Sequence, residues 1–285
     1  MSASLGAVGI GFRRRRGVPV TVVVCLVVLA AAFLAVVLGP VLYPEATKQD
    51  ILSSLMPAGS PGHPLGTDEL GRDILALTVA GAASALVGPV CVAVGSMLLG
   101  ILLGTLAGYE RGPLDFVISR WTDLLLALPV LLAAIVVSGV FGGGYWTTVA
   151  LLVLLFSPSD IRIVRAGVLE QSARPYIEAA QMLSLSRWRV MFRHILPNVS
   201  SLIITNAMLN VAFALVAFSS LSFLGVGVPP GTADWGRQLT DSRSIMFDNP
   251  AAVIVPAVLI IAVACAVNLV GDWLGQRLTR SGGLA

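Results

Sequence analysis

Long apolar runs separated by short polar stretches dominate the pattern of this chain. A helix needs roughly 20 residues to cross the hydrocarbon core of a membrane, and each run is close to that length. The pattern predicts an all-α integral membrane protein with six spans. The fourth span is the weakest, because Pro158 and Asp160 interrupt it, and Asp160 is expected near the surface or against protein. The predicted spans are about Val18 to Leu42, Gly81 to Tyr109, Trp121 to Val140, Trp146 to Val164, Val199 to Gly225 and Pro250 to Trp273.

Positive charge is distributed unequally between the loops. Six spans place Arg13 to Arg16 and most of the other arginines on one side of the membrane, and leave Lys48 with three arginines on the other. The positive-inside rule makes the arginine-rich side cytoplasmic, so both termini and the loop around Glu178 are predicted to be cytoplasmic. This asymmetry accounts for the net charge of +3, so no nucleic-acid partner is expected.

Spans and orientation together predict the organisation of the chain. It comprises a cytoplasmic segment 1–17, a first transmembrane helix 18–42, an extracytoplasmic loop 43–80, a five-helix core 81–274 with a cytoplasmic loop at about 166–198, and a cytoplasmic tail 275–285.

The sequence of the loop at 166–198 predicts a helix, a turn and a second helix. Good helix formers run from Tyr176 to Leu183 after Pro175, which suits a first helical position. A second short helix is expected from about Arg187 to Leu196, where Pro197 ends it. Alone, this pattern fits either an interfacial amphipathic hairpin or a surface that docks on a partner protein.

Four residues of this loop have predicted local roles. The charge of Glu178 stabilises the first helix near its N-terminus, and the pair Ala179-Ala180 permits close approach of a neighbouring backbone. Asn198 is expected as the N-cap of the fifth span. His194 is expected to be a hydrogen-bonded interfacial residue and not a ligand.

The motifs of this loop recur with others in one order along the chain. Glu178-Ala179-Ala180, followed by His194 to Asn198, resembles the EAA loop of bacterial ATP-binding-cassette (ABC) importer permeases. Ser184 stands where that family usually has Gly, and it carries a steric cost if the turn needs a positive φ. The full set resembles the C-type permease subunit of dipeptide and oligopeptide importers. The other matching motifs are His63 to Asp68 with Gly71 to Asp73, Arg120 with Asp123 and Pro129, Leu221 to Gly225, and Asn268 with Gly271-Asp272.

This resemblance implies a fold, a function and partners. The fold is that of a type I ABC importer permease with a cytoplasmic coupling helix, in the bacterial cytoplasmic (inner) membrane. The function is uptake of di- or oligopeptides, with this chain forming half of the pathway. The partners are a B-type permease, two ATP-binding subunits or one fused ATPase, an extracytoplasmic solute-binding protein and membrane lipid. The implied ATPase-coupling residues are Tyr176, Glu178, Ala179, Ala180, Ser184, Ser186, Trp188, His194 and Pro197.

The chain lacks the patterns of an enzyme. Its only lysine, Lys48, precedes Gln49, which excludes a Gly-x-x-x-x-Gly-Lys phosphate loop. No bound cofactor is therefore expected, and ATP and magnesium are assigned to partner subunits. Cys25, Cys91 and Cys265 lie in predicted spans without metal-ligand spacing, so no metal site is expected.

Polar and small residues within the spans have two interpretations each. Asn206 and Asn210, one turn apart, either join helices or line the translocation path, and the path is favoured because a peptide backbone needs hydrogen-bond partners. A ridge of small residues recurs every fourth position in the second span. It indicates close helix packing, or alternatively a surface that slides on the partner permease. The ridge consists of Ser96, Gly100, Gly104 and Gly108.

The two long loops on the less basic side are candidate contacts for a substrate-delivering protein. Scaffolding of an outer gate is the alternative for both. The candidate residues are Asp68, Asp234, Trp235 and Asp241. Arg120 and Asp123, three residues apart on one helix face, are expected to form a structural ion pair.

Three other functions remain open at this point. Related permeases share these motifs, so the solute could be a nickel chelate, glutathione or another small molecule. An ion-driven secondary transporter would show inverted repeats and ionisable residues near the membrane midplane, and no convincing repeat is evident. The last alternative is a membrane scaffold or enzyme component that transports nothing.

Overall fold

The computed structural model describes residues 18–282, with side chains described for residues 18–278. The predicted segment 1–17, with Arg13 to Arg16, lies outside the described residues. Helices account for most of the described chain, together with a 3₁₀ turn at Ile51–Ser53 and a π-helical turn at Val190–Ile195. The α-helices are α1 (Val20–Leu42), α2 (Ile74–Glu110), α3 (Gly112–Leu126), α4 (Val130–Phe141), α5 (Tyr145–Ser172), α6 (Pro175–Met182), α7 (Arg187–Arg189), α8 (Leu196–Phe223), α9 (Trp235–Asp241) and α10 (Ala251–Gly282).

Five of the predicted spans are long apolar helices in the structure, but the third is not a continuous helix. α3 and α4 meet at an angle of 87°, so they count as a sixth span only if the bent pair is taken as one. The prediction of an unbroken span from Trp121 to Val140 is therefore wrong. Pro129 explains the break, because it lacks an N–H and disfavours helical geometry at the residue before it.

Four predicted boundaries also differ from those in the structure. α2 begins at Ile74, because the Asp73 carboxylate accepts a hydrogen bond from the backbone N–H of Ala76 at 2.8 Å and caps the helix. The extracytoplasmic loop predicted at 43–80 therefore ends at residue 73. The loop predicted at 166–198 shrinks to 173–195, and the first eight residues of the predicted tail 275–285 continue α10.

Pro197 does not end the helix that precedes it. The segment from Arg187 to Phe223 runs on as one apolar helix, with Pro197 in the first turn of α8. The π-helical turn just before α8 explains why: its wider hydrogen-bonding pattern accommodates a residue that lacks an N–H. The expectation that Pro197 separates a short helix from the fifth span is therefore wrong.

The small-residue ridge of α2 packs against α5. A Cβ added to Gly104 would lie 2.9 Å from the Cβ of Val164, and one added to Gly108 would lie 2.9 Å from the Cβ of Val168. Such distances require that the two backbones approach without side chains between them. The structure therefore confirms close packing, and the alternative of a sliding surface is wrong because α5 already covers the ridge.

Candidate functional site

Two short helical segments form one projection at the end of the bundle where α2 ends. We call them, together with the turn 183–186 that connects them, the docking pair: α6 (Pro175–Met182) and the segment Arg187–Ile195, which joins α7 to the π-helical turn. Pro175 occupies the first turn of α6, where its missing N–H leaves no hydrogen bond unmade. The prediction of helix, turn and helix is confirmed for this part of the chain.

Apolar side chains on the inner face anchor the docking pair to the bundle. Ile177 of α6 is fully buried, as are Val190 and Ile195 of the second segment. They share an apolar cluster with Val164 of α5 and Val199 of α8. Both segments therefore share one apolar core with the two helices that flank them.

The opposite face of the docking pair exposes large apolar side chains. Met182 is 85% exposed, Leu183 74% and Trp188 59%. The rings of Trp188 and Phe192 stack with their centroids 5.5 Å apart, which holds the tryptophan in place on the surface. Exposed apolar residues concentrated on one projection are typical of a protein interaction site.

Sequence reasoning missed part of this face. Met182 and Leu183 end the first helix just before the turn, and neither was among the predicted coupling residues. The structure identifies Ile177 and Ala180 as the buried face, and the large apolar residues off that face are exposed.

The turn between the two segments does need a positive φ, the condition under which Ser carries a steric cost that Gly avoids. Ser184 adopts a φ of +56°, and its backbone N–H donates to the carbonyl of Gln181 at 2.9 Å. A left-handed residue at a helix C-terminus is usually Gly, because other residues carry a steric cost there. The turn therefore forms with Ser, although Gly would fit it with less strain.

The three residues of the Glu-Ala-Ala motif differ in their exposure to solvent. Glu178 and Ala179 are exposed, whereas Ala180 is buried and belongs to the apolar cluster beneath the pair. Ala179 is thus open to another protein, whereas Ala180 packs within the chain, and close approach of a neighbouring backbone to the pair stays a prediction. The helix turns Ala180 inward because it lies three residues after Ile177, on the same face.

The remaining predicted coupling residues lie on or near the exposed face. The prediction that Asn198 is an N-cap is wrong, because α8 begins before it, at Leu196. Its amide instead donates to the carbonyl of His194 at 2.7 Å and to the hydroxyl of Tyr176 at 3.2 Å, and so joins the two halves of the pair. Ser186 precedes α7 and is exposed.

Ion pairs fix the helices around the docking pair. Arg187 pairs with Glu110 at the end of α2, with 2.7 Å between Nη1 and Oε2. Arg162 and Arg120 both pair with Asp123, so the predicted pair of Arg120 with Asp123 is confirmed. These basic residues lie at the same end of the bundle as the docking pair.

The candidate contacts at the other end of α2 form a buried group, which we call the Asp68 cluster. Asp68 is 3% exposed, Asp234 1% and Trp235 2%. The prediction that these three contact a substrate-delivering protein is wrong, because no partner could reach side chains so deeply buried. The structure supports the scaffold alternative. The cluster consists of the buried residues Asp68, Arg72, Asp234 and Trp235, with the partly buried Asp241.

Hydrogen bonds explain the burial of the Asp68 cluster. Arg72 donates through Nε to Asp68 Oδ2 at 2.7 Å and pairs through Nη2 with Asp241 Oδ2 at 3.3 Å. Asp234 accepts from the hydroxyl of Ser222 at 2.6 Å, and Trp235 Nε1 donates to the carbonyl of Thr78 at 2.8 Å. The cluster thus fastens the first long loop and α9 to the ends of α2 and α8.

The side-chain amides of Asn206 and Asn210 are hydrogen-bonded within the chain. Each Nδ2 donates to Oδ1 of Asp160 at 2.5 Å, so both amides join α8 to α5. Of the two interpretations, helix joining is observed, and a role in the path stays a prediction. Asp160 itself is buried against protein.

The described part of the chain contains no candidate metal site and no disulfide. Within residues 18–282, no group of three or more His, Cys, Asp or Glu side chains could hold a metal ion. Cys25 is buried, Cys91 is partly buried and Cys265 is exposed, and all three are free thiols.

Comparisons with known proteins agree on one family and one fold. The family model described as "Binding-protein-dependent transport system inner membrane component" matches residues 100–280. A solved structure titled "Crystal structure of an amino acid ABC transporter with histidines" aligns with a TM-score of 0.52 at 20% identity, over 70% of this chain and 94% of that chain. At that identity, the similarity concerns the fold alone.

Several curated relatives match nearly the whole chain. A glutathione transport system permease protein, GsiD of Pectobacterium atrosepticum, is 34% identical over 89% of this chain and 83% of its own length. A dipeptide transport system permease protein, DppC of Haemophilus influenzae, is 30% identical over 94% and 91%. A di/tripeptide transport system permease protein, DppC of Pseudomonas aeruginosa, is 35% identical over 79% and 74%.

Proposed function

The chain belongs to the family of binding-protein-dependent transport system inner membrane components, and from that premise we propose that it is a permease subunit of an ABC importer for short peptides. It forms half of the translocation pathway and catalyses no reaction itself. A homologous B-type permease supplies the other half, and a solute-binding protein delivers the cargo. ATP and magnesium bind to separate ATPase subunits.

One observation carries the coupling part of this proposal. The docking pair exposes Met182, Leu183 and Trp188, while its inner face is buried against α5 and α8. An exposed apolar face on a well-anchored support is what a partner needs if its movement is to be transmitted and not absorbed. The ATPase subunits are the partners that must deliver such a movement.

The orientation follows from charge. Arg111, Arg187 and Arg189 lie at the end of the bundle that carries the docking pair. Excess positive charge favours the cytoplasmic side, so we place the docking pair and both termini there, where ATP is available. The Asp68 cluster then lies on the opposite, outer side.

The mechanism is alternating access. ATP-driven closure of the ATPase subunits draws the docking pairs of the two permeases together. α5 and α8 follow because they share an apolar core with the pair, and the pathway opens outward. ATP hydrolysis separates the ATPase subunits and returns the pathway to its inward-open state. The permease needs differential contacts in the two states, but no catalytic residue.

Short peptides are the favoured cargo because several relatives that match most of this chain carry dipeptide or peptide permease names. Import of glutathione is the second candidate, since one relative at 34% identity is a glutathione permease. Glutathione is itself a modified tripeptide, so the two candidates share the chemistry of an amide backbone with charged ends. Nickel chelates are a third possible cargo for this class of importer, but no specific observation favours them.

The test is ATP-dependent uptake by the reconstituted complex of both permeases, the ATPase subunits and the binding protein. Labelled dipeptides, tripeptides and glutathione are offered in competition. Uptake that unlabelled peptides suppress and glutathione leaves unchanged supports the peptide assignment, whereas the reverse result assigns the chain to glutathione. Failure of every amide cargo in an assembled, ATP-hydrolysing complex contradicts both.

A further inference from the structure

A buried carboxyl group lies where three of the long helices meet. Asp160 of α5 has no exposed surface. It lies opposite Gly100 of α2, where an added Cβ would come within 2.5 Å of the Cβ of Asp160. A carboxyl group is costly inside a membrane span, so its presence at the tightest contact between α2 and α5 calls for a function.

The hydrogen bonds of Asp160 are directed to a third helix. The side-chain amides of Asn206 and Asn210, one turn apart on α8, both donate to its Oδ1 at 2.5 Å. The other oxygen, Oδ2, is buried without a hydrogen-bond partner among the described residues. The two short hydrogen bonds of this carboxyl group therefore join α5 to α8, and the hydroxyl of Ser96 on α2 also faces it.

This junction lies at the base of the two arms that carry the docking pair. From Asp160 to Ser172, α5 extends by ~18 Å, and from Asn206 back to Leu196, α8 extends by ~15 Å. α6 follows the first arm, and the segment Arg187–Ile195 precedes the second. The two arms thus run from one polar junction to the surface that we assign to ATPase docking.

The direct contacts between the arms are otherwise apolar. At their far end, Tyr176 of α6 links Gln171 of α5 to Asn198 of α8 by two hydrogen bonds, but both are exposed, so water can replace them. Val164 and Val168 of α5 share one cluster with Val199 and Ile203 of α8. Apolar contacts have no preferred direction, so they resist separation of two helices more than sliding. Hydrogen bonds are directional, and an apolar span offers no water to replace a broken one.

We propose that Asp160 is a positioning residue that locks α5 to α8, so that both arms transmit the movement of the docking pair as one rigid body. The inference rests on the proposed function, because it assumes that the docking pair is driven. Without the lock, closure of the ATPase subunits slides one arm past the other. Part of the movement is then lost before it reaches the pathway.

The first experiment replaces Asp160 in the complete complex. In Asp160→Leu, ATP hydrolysis persists, and uptake of a labelled di- and tripeptide mixture per ATP falls roughly fivefold to tenfold. Asp160→Asn keeps an oxygen that accepts both amides, and the ratio recovers to within about twofold of the native value. An unchanged ratio in Asp160→Leu overturns the inference. So does an Asp160→Asn complex that is as impaired as Asp160→Leu.

Ser157→Ala is the matched control. Ser157 is equally buried on α5, but its hydroxyl donates to the carbonyl of Leu154 at 2.9 Å, within its own helix. Removing it breaks no bond between helices, so the uptake per ATP should not change. If Asp160→Leu does not insert, Asn206→Ala removes one of the two donors. A loss of about twofold then supports the lock, and no loss overturns it.

A second readout needs no cargo. Spin labels replace the exposed residues Ala173, after α5, and Phe213, on α8, in a background where the three cysteines are serine. Their separation should stay constant on trapping with ATP and vanadate in the native and Asp160→Asn complexes, and shift by about 2 Å in Asp160→Leu. A constant separation in Asp160→Leu contradicts the lock. Failure of the native complex to bind its ATPase subunits would instead contradict the proposed function.

Discussion

The Asp68 cluster and the docking pair lie at opposite ends of α2, and both concentrate charged and aromatic residues. In the cluster, Asp68 and Trp235 are almost completely buried and hydrogen-bonded within the chain. In the docking pair, Trp188 and Leu183 face outward. One region makes its polar contacts within the chain, and the other presents apolar surface that the described part of the chain leaves uncovered.

The difference shows that residue type alone does not identify an interface. Both regions are candidate contact surfaces in the sequence: the docking pair by its helix–turn–helix pattern and its resemblance to the EAA loop, and the cluster by its charges and a tryptophan in long loops. Burial separates them: Trp235 has 2% of its surface exposed and Trp188 has 59%. The buried region stabilises the fold, and the exposed region is available to a partner. Three substitutions test this division.

The largest effect is expected in the Asp68 cluster. Arg72→Met leaves the buried carboxylate of Asp68 without its cation, which should lower the free energy of unfolding by about 3–5 kcal/mol. The measurement is denaturation of the purified protein in detergent. Lys48→Met is the control, because Lys48 and Glu45 form an exposed pair that should contribute little. Equal stability of the two variants would show that the cluster is not a structural clamp.

A smaller effect, on binding and not on stability, is expected at the docking pair. Trp188→Ala removes a large exposed ring from the proposed interface, which should weaken ATPase binding by about 2 kcal/mol, or roughly 30-fold. The affinity of the purified ATPase subunits for the permease pair measures it.

Trp146→Ala serves as its control. Trp146 is 64% exposed at the opposite end of α5, so removing it should leave ATPase affinity unchanged. If both variants lost affinity to a similar extent, the ATPase would not bind specifically at the end of the bundle that carries the docking pair.

The smallest effect is expected in the turn of the docking pair. Ser184→Gly relieves a φ of +56° and should raise the free energy of unfolding by about 0.5–1 kcal/mol. Ser186 has a φ of −62°, so Ser186→Gly relieves no strain and should give no gain. Thermal unfolding of both variants provides the measurement. A gain of similar size in the two would mean that the Ser184 turn is not strained.

Most of the fold could be predicted from the sequence because the membrane fixes the length of a span. The long runs that became α1, α2, α5, α8 and α10 needed no tertiary information. The break between α3 and α4 was also accessible, since Pro129 marks it. Pro197 shows the limit of that rule, because there the preceding π-helical turn lets the helix continue.

The candidate site was less predictable, because burial depends on contacts between distant parts of the chain. Arg72 meets Asp241 across 169 residues, and Trp235 meets Thr78 across 157. No local pattern reports such contacts. The Glu-Ala-Ala motif located the docking pair, but only the structure showed that Ala180 faces inward and that Met182 faces outward.

The measurement that tests the account most directly is photo-cross-linking in the assembled transporter. A photoreactive phenylalanine analogue replaces Leu183 on the docking pair or, in a second variant, Phe247, which is 88% exposed between α9 and α10. The account predicts adducts with the ATPase subunits from position 183 and none from position 247. ATPase adducts from position 247, or their absence from position 183 in a complex that hydrolyses ATP and transports, would contradict it.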